Sequence, residues 1–140
     1  MGFHRILIPV TGSEVDEEAM KLACRLLDKK GEIFAVCVIA VERVLPLDIE
    51  IESEISKAES ALDHMETMAK ERGCQIETDL LQAREVASAI VDEAEEREVD
   101  LILMGVKYKR RFGEFSLGDV VPAVLKNAPC NVLLYQQYIA

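Results

Sequence analysis

A basic segment between two glycines carries the residue types best suited to binding an anion. Gly105 and Gly118 bound this segment, and its cations are Lys107, Lys109, Arg110 and Arg111. Glycine lets the backbone approach a ligand closely, and lysine and arginine side chains neutralise phosphate charge. A helix beginning at Asp119 would add free N–H groups and a positive dipole end, although the Asp119 carboxylate competes for those groups. The segment is a candidate phosphate-binding loop, while a solvated charged loop is the commoner explanation of such a basic cluster.

A buried strand leads into this loop. Residues 101–104 are Leu, Ile, Leu and Met, an apolar run without alternation that is typical of a parallel strand covered on both faces. We expect Gly105 to end the strand. Ligands of open parallel sheets bind beyond the carboxyl ends of the strands, so the loop lies where a ligand would bind.

Strand and helix patterns alternate along the rest of the chain. Further strands are predicted at 5–10, 33–41, 74–81 and 130–135, with the strand at 74–81 near a sheet edge. The first helix is predicted to begin with a capping box of Ser13 and Asp16 and to end at Gly31. The last helix is predicted to have Asp119 as its cap. This alternation predicts a single α/β domain over residues 1–140, with five parallel strands and helices on both faces.

Net charge and apolar run length argue against nucleic acid and membrane insertion. The net charge of −10 disfavours nucleic acid, because binding requires positive charge to replace the counterions of phosphate. The longest apolar run, 33–41, has nine residues, against the roughly 20 that a membrane-spanning helix needs, and no signal peptide precedes the first strand. We therefore expect a cytoplasmic protein without nucleic acid as a partner and without membrane insertion.

The cysteines and histidines do not form a recognisable reactive or metal site in the sequence. Cys24, Cys37, Cys74 and Cys130 have no CxxC spacing and fall inside predicted helices or strands. They are interpreted as small buried apolar residues of a protein in a reducing compartment. The histidines, His4 and His64, lack nearby metal-ligand partners and are interpreted as structural or exposed.

Common catalytic motifs are absent from the sequence. The chain contains no GxGxxG, GxxxxGK[ST], GxSxG or HExxH pattern. The turn after the first strand contains Thr11 and Gly12, where a phosphorylatable receiver domain would have clustered carboxylates. The sequence therefore favours a non-enzymatic role, with no catalytic residue and no metal ligand assigned.

Three stretches of the chain resemble the universal stress protein family. They are ILIPVTGSE, AIVDEAEEREVDLILMG and SLGDVVPAVLKNAPCNVLLY, and together the resemblance covers essentially the whole chain. It implies a Rossmann-like sheet of the adenine nucleotide α-hydrolase type, with strand order 3-2-1-4-5. It also implies a homodimer through the last strand, which has no polar face at Val132, Leu133 and Leu134. The predicted dimer edge is Asn131, Val132, Leu133, Leu134 and Tyr135.

The nucleotide-binding branch of that family carries G-x2-G-x9-G followed by serine or threonine. Gly105 and Gly118 match the first and last glycines of this pattern. The chain departs from it at the second glycine, at the two hydroxyl positions and at an aspartate after the first strand. The residues at those four positions here are Tyr108, Asp119, Val121 and Thr11. The resemblance therefore implies an altered nucleotide site.

Three functions remain open at this point. One is a dimeric regulatory module acting through a protein partner, as in universal stress domains fused to transporters. The second is a binding protein for ATP, ADP or AMP, and the third and least favoured is a slow nucleotide hydrolase. Tyr108 either stacks on a base or plugs the pocket. The candidate nucleotide site is Pro9, Val10, Thr11, Val41, Met104, Gly105, Lys107, Tyr108, Lys109, Arg110, Gly118, Asp119 and Val120.

Overall fold

The computed structural model describes residues 2–106, 109–111, 114–116 and 118–136. The strands are Phe3–Pro9 (β1), Leu27–Ala40 (β2), Gln75–Ala83 (β3), Leu101–Val106 (β4), Lys109–Arg111 (β5), Glu114–Ser116 (β6) and Asn131–Gln136 (β7). The helices are Val15–Leu26 (α1), Glu52–Glu71 (α2), Val86–Glu96 (α3) and Val120–Asn127 (α4). No helix in this described part is both long and apolar enough to cross a membrane.

Five parallel strands form the central sheet, in the order β3-β2-β1-β4-β7. The predicted order 3-2-1-4-5 is therefore confirmed, and the strand predicted at an edge, β3, is an edge strand. The chain extends the sheet in one direction from β1 to β3 and then continues on the other side of β1. The basic segment contains a short antiparallel pair, β5 and β6, where the sequence predicted only a loop.

Both faces of the sheet are covered, which explains the continuous apolar runs of the central strands. Ile6 and Ile8 of β1 belong to a cluster with residues of α1 and α2, such as Met20 and Leu62. Leu7 points to the opposite cluster, which includes residues of α3 and α4. All three β1 side chains are 0% exposed, so alternate residues of one strand contribute to two separate cores.

The boundary between α1 and β2 differs from the prediction. The helix ends at Leu26, and Gly31, predicted to follow the helix end, lies within β2. Leu27 pairs with Phe3 of β1, so pairing with a distant strand ends the helix earlier than its local apolar spacing indicates. A Cβ atom on Gly31 would lie 2.8 Å from the His4 carbonyl oxygen, so glycine is needed here for strand packing.

Candidate functional site

A cavity of about 1050 Å³ opens at the carboxyl edge of the sheet, between β1 and β4. The ends of β1, β2 and β4 form its floor, and the first turns of α2, α3 and α4 contribute to its walls. The predicted site residues that line it are Pro9, Val10, Thr11, Met104, Gly105 and Val120. This is the point where the direction of sheet growth reverses, the usual ligand position in open α/β sheets.

The turn after β1 is held by a buried carboxylate. Asp16 is 3% exposed, and its oxygens accept hydrogen bonds from the Thr11 N–H at 3.1 and 3.2 Å and from the Gly12 N–H at 2.7 Å. The Thr11 hydroxyl also donates to Asp16, at 2.9 Å. Gly12 has a φ of +80°, a conformation that favours glycine. Asp16 therefore fixes the turn that forms one wall of the cavity.

The predicted capping box is wrong in its details. Helix α1 begins at Val15 with Glu14 as the N-cap residue, one position later than a cap at Ser13 requires. The Asp16 side chain accepts hydrogen bonds from Thr11 and Gly12 in the β1–α1 turn instead of from the Ser13 N–H, although the Asp16 N–H donates to the Ser13 carbonyl oxygen at 3.1 Å. The carboxylate is still structural, but it stabilises the cavity wall and not the helix end.

One wall of the cavity comes from α2, which the sequence analysis did not place in the site. Its polar residues at the cavity are Glu54, Ser56, Lys57 and Ser60. All four are exposed, and in the sequence they are indistinguishable from an ordinary solvated helix face. Only the packing of α2 beside the end of β2 brings them to the site.

The end of β2 supplies the middle of the cavity floor through Cys37, Val38 and Ile39. Burial raises the pKa of the Cys37 thiol, and the nearby carboxylates of Asp16 and Glu54 raise it further. Cys37 is only partly buried, as are the other three cysteines, so they differ from the small buried residues predicted, although all four pack against the core clusters. A partly exposed thiol in the floor makes Cys37 a natural probe of cavity occupancy.

Gly105 lies within β4 and does not end it, because the strand continues to Val106 and Gly105 pairs with Tyr135 of β7. A Cβ atom at Gly105 would lie 3.1 and 3.2 Å from the Val15 methyl groups and 3.3 Å from the Val15 carbonyl oxygen. The glycine therefore allows the start of α1 to pack directly on β4. Nothing in the sequence indicates this close approach of α1 to β4.

The other predicted site residues divide into three groups. Val41 is 3% exposed and does not line the cavity; its N–H donates to the Ala83 carbonyl oxygen at 2.9 Å. Gly118 and Asp119 are exposed and lie outside the cavity lining. Lys107 and Tyr108 lie outside the described residues, and Lys109 and Arg110 are described as backbone of β5.

Asp119 occupies the N-cap position of α4, as predicted, without acting as a cap. Its backbone is helical (φ −93°, ψ −27°), whereas a capping residue is normally extended. In the part of the chain that the structure describes, its side chain makes no capping hydrogen bond. The expected competition between this carboxylate and a ligand for the first N–H groups of α4 is therefore absent from this arrangement.

Each histidine pairs with a carboxylate that is distant in the sequence. His4 Nδ1 lies 3.0 Å from Asp28, and His64 Nε2 lies 2.8 Å from Glu17, with both histidine side chains more than half exposed. Among the described residues, no group of three His, Cys, Asp or Glu side chains could hold a metal ion.

The strand order and the cavity at the reversal point define a doubly wound α/β protein with a cavity at the carboxyl edge of its sheet. A model of the universal stress protein family matches residues 2–136. The chain is 35% identical over 142 residues to a universal stress protein of Methanocaldococcus jannaschii, covering 96% of this chain and 83% of that protein. The chain therefore belongs to the universal stress protein family.

Solved structures with this fold include nucleotide complexes, among them the following two. A universal stress protein from Archaeoglobus fulgidus in complex with dAMP superposes with a TM-score of 0.73 at 22% identity, covering 96% of this chain and 98% of that one. A universal stress protein family protein from Arabidopsis thaliana with AMP bound gives a TM-score of 0.70 at 15% identity, covering 96% and 92%. At these identities the likeness shows the shared fold.

Proposed function

We propose that this chain is a cytoplasmic universal stress protein that binds an adenine mononucleotide in the cavity between β1 and β4. The observation that carries the proposal is the cavity itself, whose volume of about 1050 Å³ is slightly above the range of ordinary small-ligand sites, roughly 300–1,000 Å³. The dAMP and AMP complexes of proteins with the same fold support the choice of ligand. The four free cysteines agree with a reducing compartment.

The distribution of side chains supports one orientation of the nucleotide. Val10, Ile39 and Met104 form an apolar floor that suits the base. Ile39 takes the position at the end of β2 that was predicted for Val41. The phosphate would lie toward the start of α4, where Val120 lines the cavity and where backbone N–H groups favour an anion. In the sequence the cations of the basic segment come directly after β4, and they are therefore the candidates for neutralising the phosphate.

The first experiment measures thermal stability with AMP, dAMP, ADP and ATP. A nucleotide present at ten times its Kd should stabilise the protein by about 1.4 kcal/mol, because it binds only the folded state. Replacing Ser60 by tryptophan should abolish the shift, since this exposed residue of α2 lines the cavity and a large side chain would occupy it. The readout is the melting temperature with and without ligand.

Thr67→Trp is the matched control, because Thr67 is exposed on α2 two helical turns later and does not line the cavity. This variant should keep the full ligand-induced shift. Alkylation of Cys37 gives a second readout and should slow when nucleotide is bound. Equal shifts in Ser60→Trp and Thr67→Trp, with no protection of Cys37, would place the nucleotide outside the cavity.

A second candidate function is a dimeric regulatory module that acts through protein contacts. The observation that favours it is the edge strand β7, whose Leu133 is 38% exposed while Val132 and Leu134 pack into the core. Pairing of two β7 edges would satisfy the outer backbone groups and cover Leu133. The dimer and the nucleotide site are compatible, because β7 does not line the cavity.

Leu133→Lys should convert a dimer into a monomer, since two lysines would face each other across the paired edges. Light scattering after gel filtration measures the mass in solution. Leu125→Lys is the control, because Leu125 is an exposed leucine of α4, 48% exposed, outside the β7 edge. An unchanged mass for Leu133→Lys, or an equal loss in both variants, would contradict dimerisation through β7.

A further inference from the structure

One face of α2 changes its chemistry where the helix passes the end of the sheet. Leu62 on this face is 5% exposed and packs into the core cluster that α2 shares with the sheet. The residues that precede it on the same face, at helical spacing, all line the cavity: Glu54, Lys57, Ala58 and Ala61. The two alanines are small and leave the cavity open, so the two charged side chains form the polar part of this wall.

This wall carries one carboxylate and one ammonium group. Among the described residues that line the cavity, Glu54 and Lys57 are the only charged ones, so together they give the wall no net charge. Both are exposed, and no salt bridge joins them to each other or to another described residue. Further along the same helix, by contrast, Lys70 pairs with Glu66 at 2.6 Å. The cavity wall therefore offers hydrogen-bonding groups to a ligand without the net positive charge that a phosphate requires.

The Glu54 carboxylate lies near the cavity floor at the end of β2. Cys37 lines that floor, and the pKa of its thiol is raised first by burial and then by the carboxylates of Asp16 and Glu54. Ile39 is two residues further along β2, on the same side of the sheet, and belongs to the apolar floor that suits the base. The α2 wall is therefore next to the part of the cavity where the nucleoside would lie.

We propose that Glu54 accepts a hydrogen bond from the 2′-hydroxyl of the nucleotide and makes the site selective for ribonucleotides; this inference rests on the nucleotide-binding function proposed above. Helices α2 and α4 cover opposite faces of the sheet, so a nucleotide with its phosphate at α4 turns the other side of its ribose toward α2. The 2′- and 3′-hydroxyl groups are on that side, away from the 5′-phosphate.

The chemistry of the wall matches a hydroxyl group. An ionised carboxylate only accepts hydrogen bonds, and in dinucleotide-binding α/β domains an acidic residue accepts one from the ribose 2′-hydroxyl. Lys57 lies one turn after Glu54 on the same face, and its positive charge offsets the repulsion between the Glu54 carboxylate and the phosphate of the ligand.

The test compares the affinities of AMP, dAMP and IMP by isothermal titration calorimetry. The unchanged protein should bind AMP about tenfold more tightly than dAMP, because a hydrogen bond to a charged group typically contributes at least that ratio. Glu54→Ala should weaken AMP binding to the level of dAMP and leave dAMP binding unchanged. Glu59→Ala is the matched control, because Glu59 is an exposed glutamate of α2 that does not line the cavity, and it should retain the preference for AMP.

Glu54→Arg tests the same contact by a gain of binding. A cation at this position should receive a phosphate on the 2′-oxygen, as an arginine does in dinucleotide-binding α/β domains. The variant should therefore bind adenosine 2′,5′-bisphosphate more tightly than AMP, whereas the unchanged protein should prefer AMP because Glu54 repels the second phosphate.

The outcomes separate this inference from the proposed function. Equal affinity of the unchanged protein for AMP and dAMP, or an equal loss of both in Glu54→Ala, would overturn the ribose contact and leave the nucleotide site in place. A loss of discrimination between AMP and IMP in Glu54→Ala, with the preference for AMP over dAMP kept, would place the carboxylate at the base amine and also overturn it. Absence of binding of every nucleotide would overturn both proposals.

Discussion

Asp16→Ala is expected to lower the free energy of unfolding by about 3 kcal/mol, because hydrogen bonds to a buried carboxylate are among the stronger ones and their donors lose their partner. The substitution removes the acceptor of the Thr11 N–H, the Gly12 N–H and the Thr11 hydroxyl. In a domain of this size the melting temperature should fall by roughly 10 °C. Denaturant unfolding monitored by circular dichroism measures the change directly.

Two further variants test the physical reason. Asp16→Asn keeps the shape and one acceptor oxygen, so it should be less damaging than Asp16→Ala. Glu18→Ala removes a carboxylate from the same helix turn, where it makes only a partly exposed pair with Lys21 at 3.2 Å, and should change stability by less than about 1 kcal/mol. Equal effects of Asp16→Ala and Glu18→Ala would contradict the structural role of the buried carboxylate.

The same substitution connects stability to the proposed ligand. The turn held by Asp16 forms one wall of the cavity, so loosening it should weaken nucleotide binding even at temperatures where Asp16→Ala remains folded. Titration of the folded variant with AMP measures this effect separately from unfolding. An affinity equal to that of the unchanged protein would show that the turn does not shape the binding site.

Gly105→Val is expected to lower the free energy of unfolding by about 3 kcal/mol through overpacking. In an ordinary strand, replacing glycine by a β-branched residue is favourable, because glycine loses more conformational freedom on folding. Here the new Cβ would lie 3.1 to 3.3 Å from Val15 atoms, including the backbone oxygen, which a side-chain rotation cannot move. Equilibrium unfolding in urea provides the measurement.

A double-mutant cycle with Val15→Ala identifies the cause. Shortening Val15 removes the two methyl groups nearest to the new Cβ, so Gly105→Ala should cost less in the Val15→Ala background than alone. Val15→Ala should remove only part of the destabilisation caused by Gly105→Ala, because the Val15 carbonyl oxygen would still lie 3.3 Å from the new Cβ atom. If Gly105 served only the approach of a phosphate, Gly105→Ala would instead leave stability unchanged and weaken nucleotide binding alone.

The sequence located the residues of some strand ends more accurately than those of others. Pro9, Val10, Met104 and Gly105, which were predicted to bind nucleotide, line the cavity, because strand ends in a parallel sheet converge on one edge. Val41 was assigned to the site but is buried outside it, since β2 ends at Ala40 and the Val41 N–H is bonded to Ala83. The large apolar residue that lines the cavity at the end of β2 is therefore Ile39, two positions before Val41. Strand pairing sets this position, and the composition of β2 alone does not reveal how the strand pairs.

The sequence by itself determined the alternation of strands and helices, the central position of the apolar runs and, through its family resemblance, the strand order. These features follow from local periodicity and from burial on both faces, which act on neighbouring residues. The tertiary structure alone decided the early end of α1, the contact of Gly105 with Val15 and the α2 wall of the cavity. Each of these depends on segments far apart in the chain, whose relative positions are fixed only when the sheet and its helices pack together.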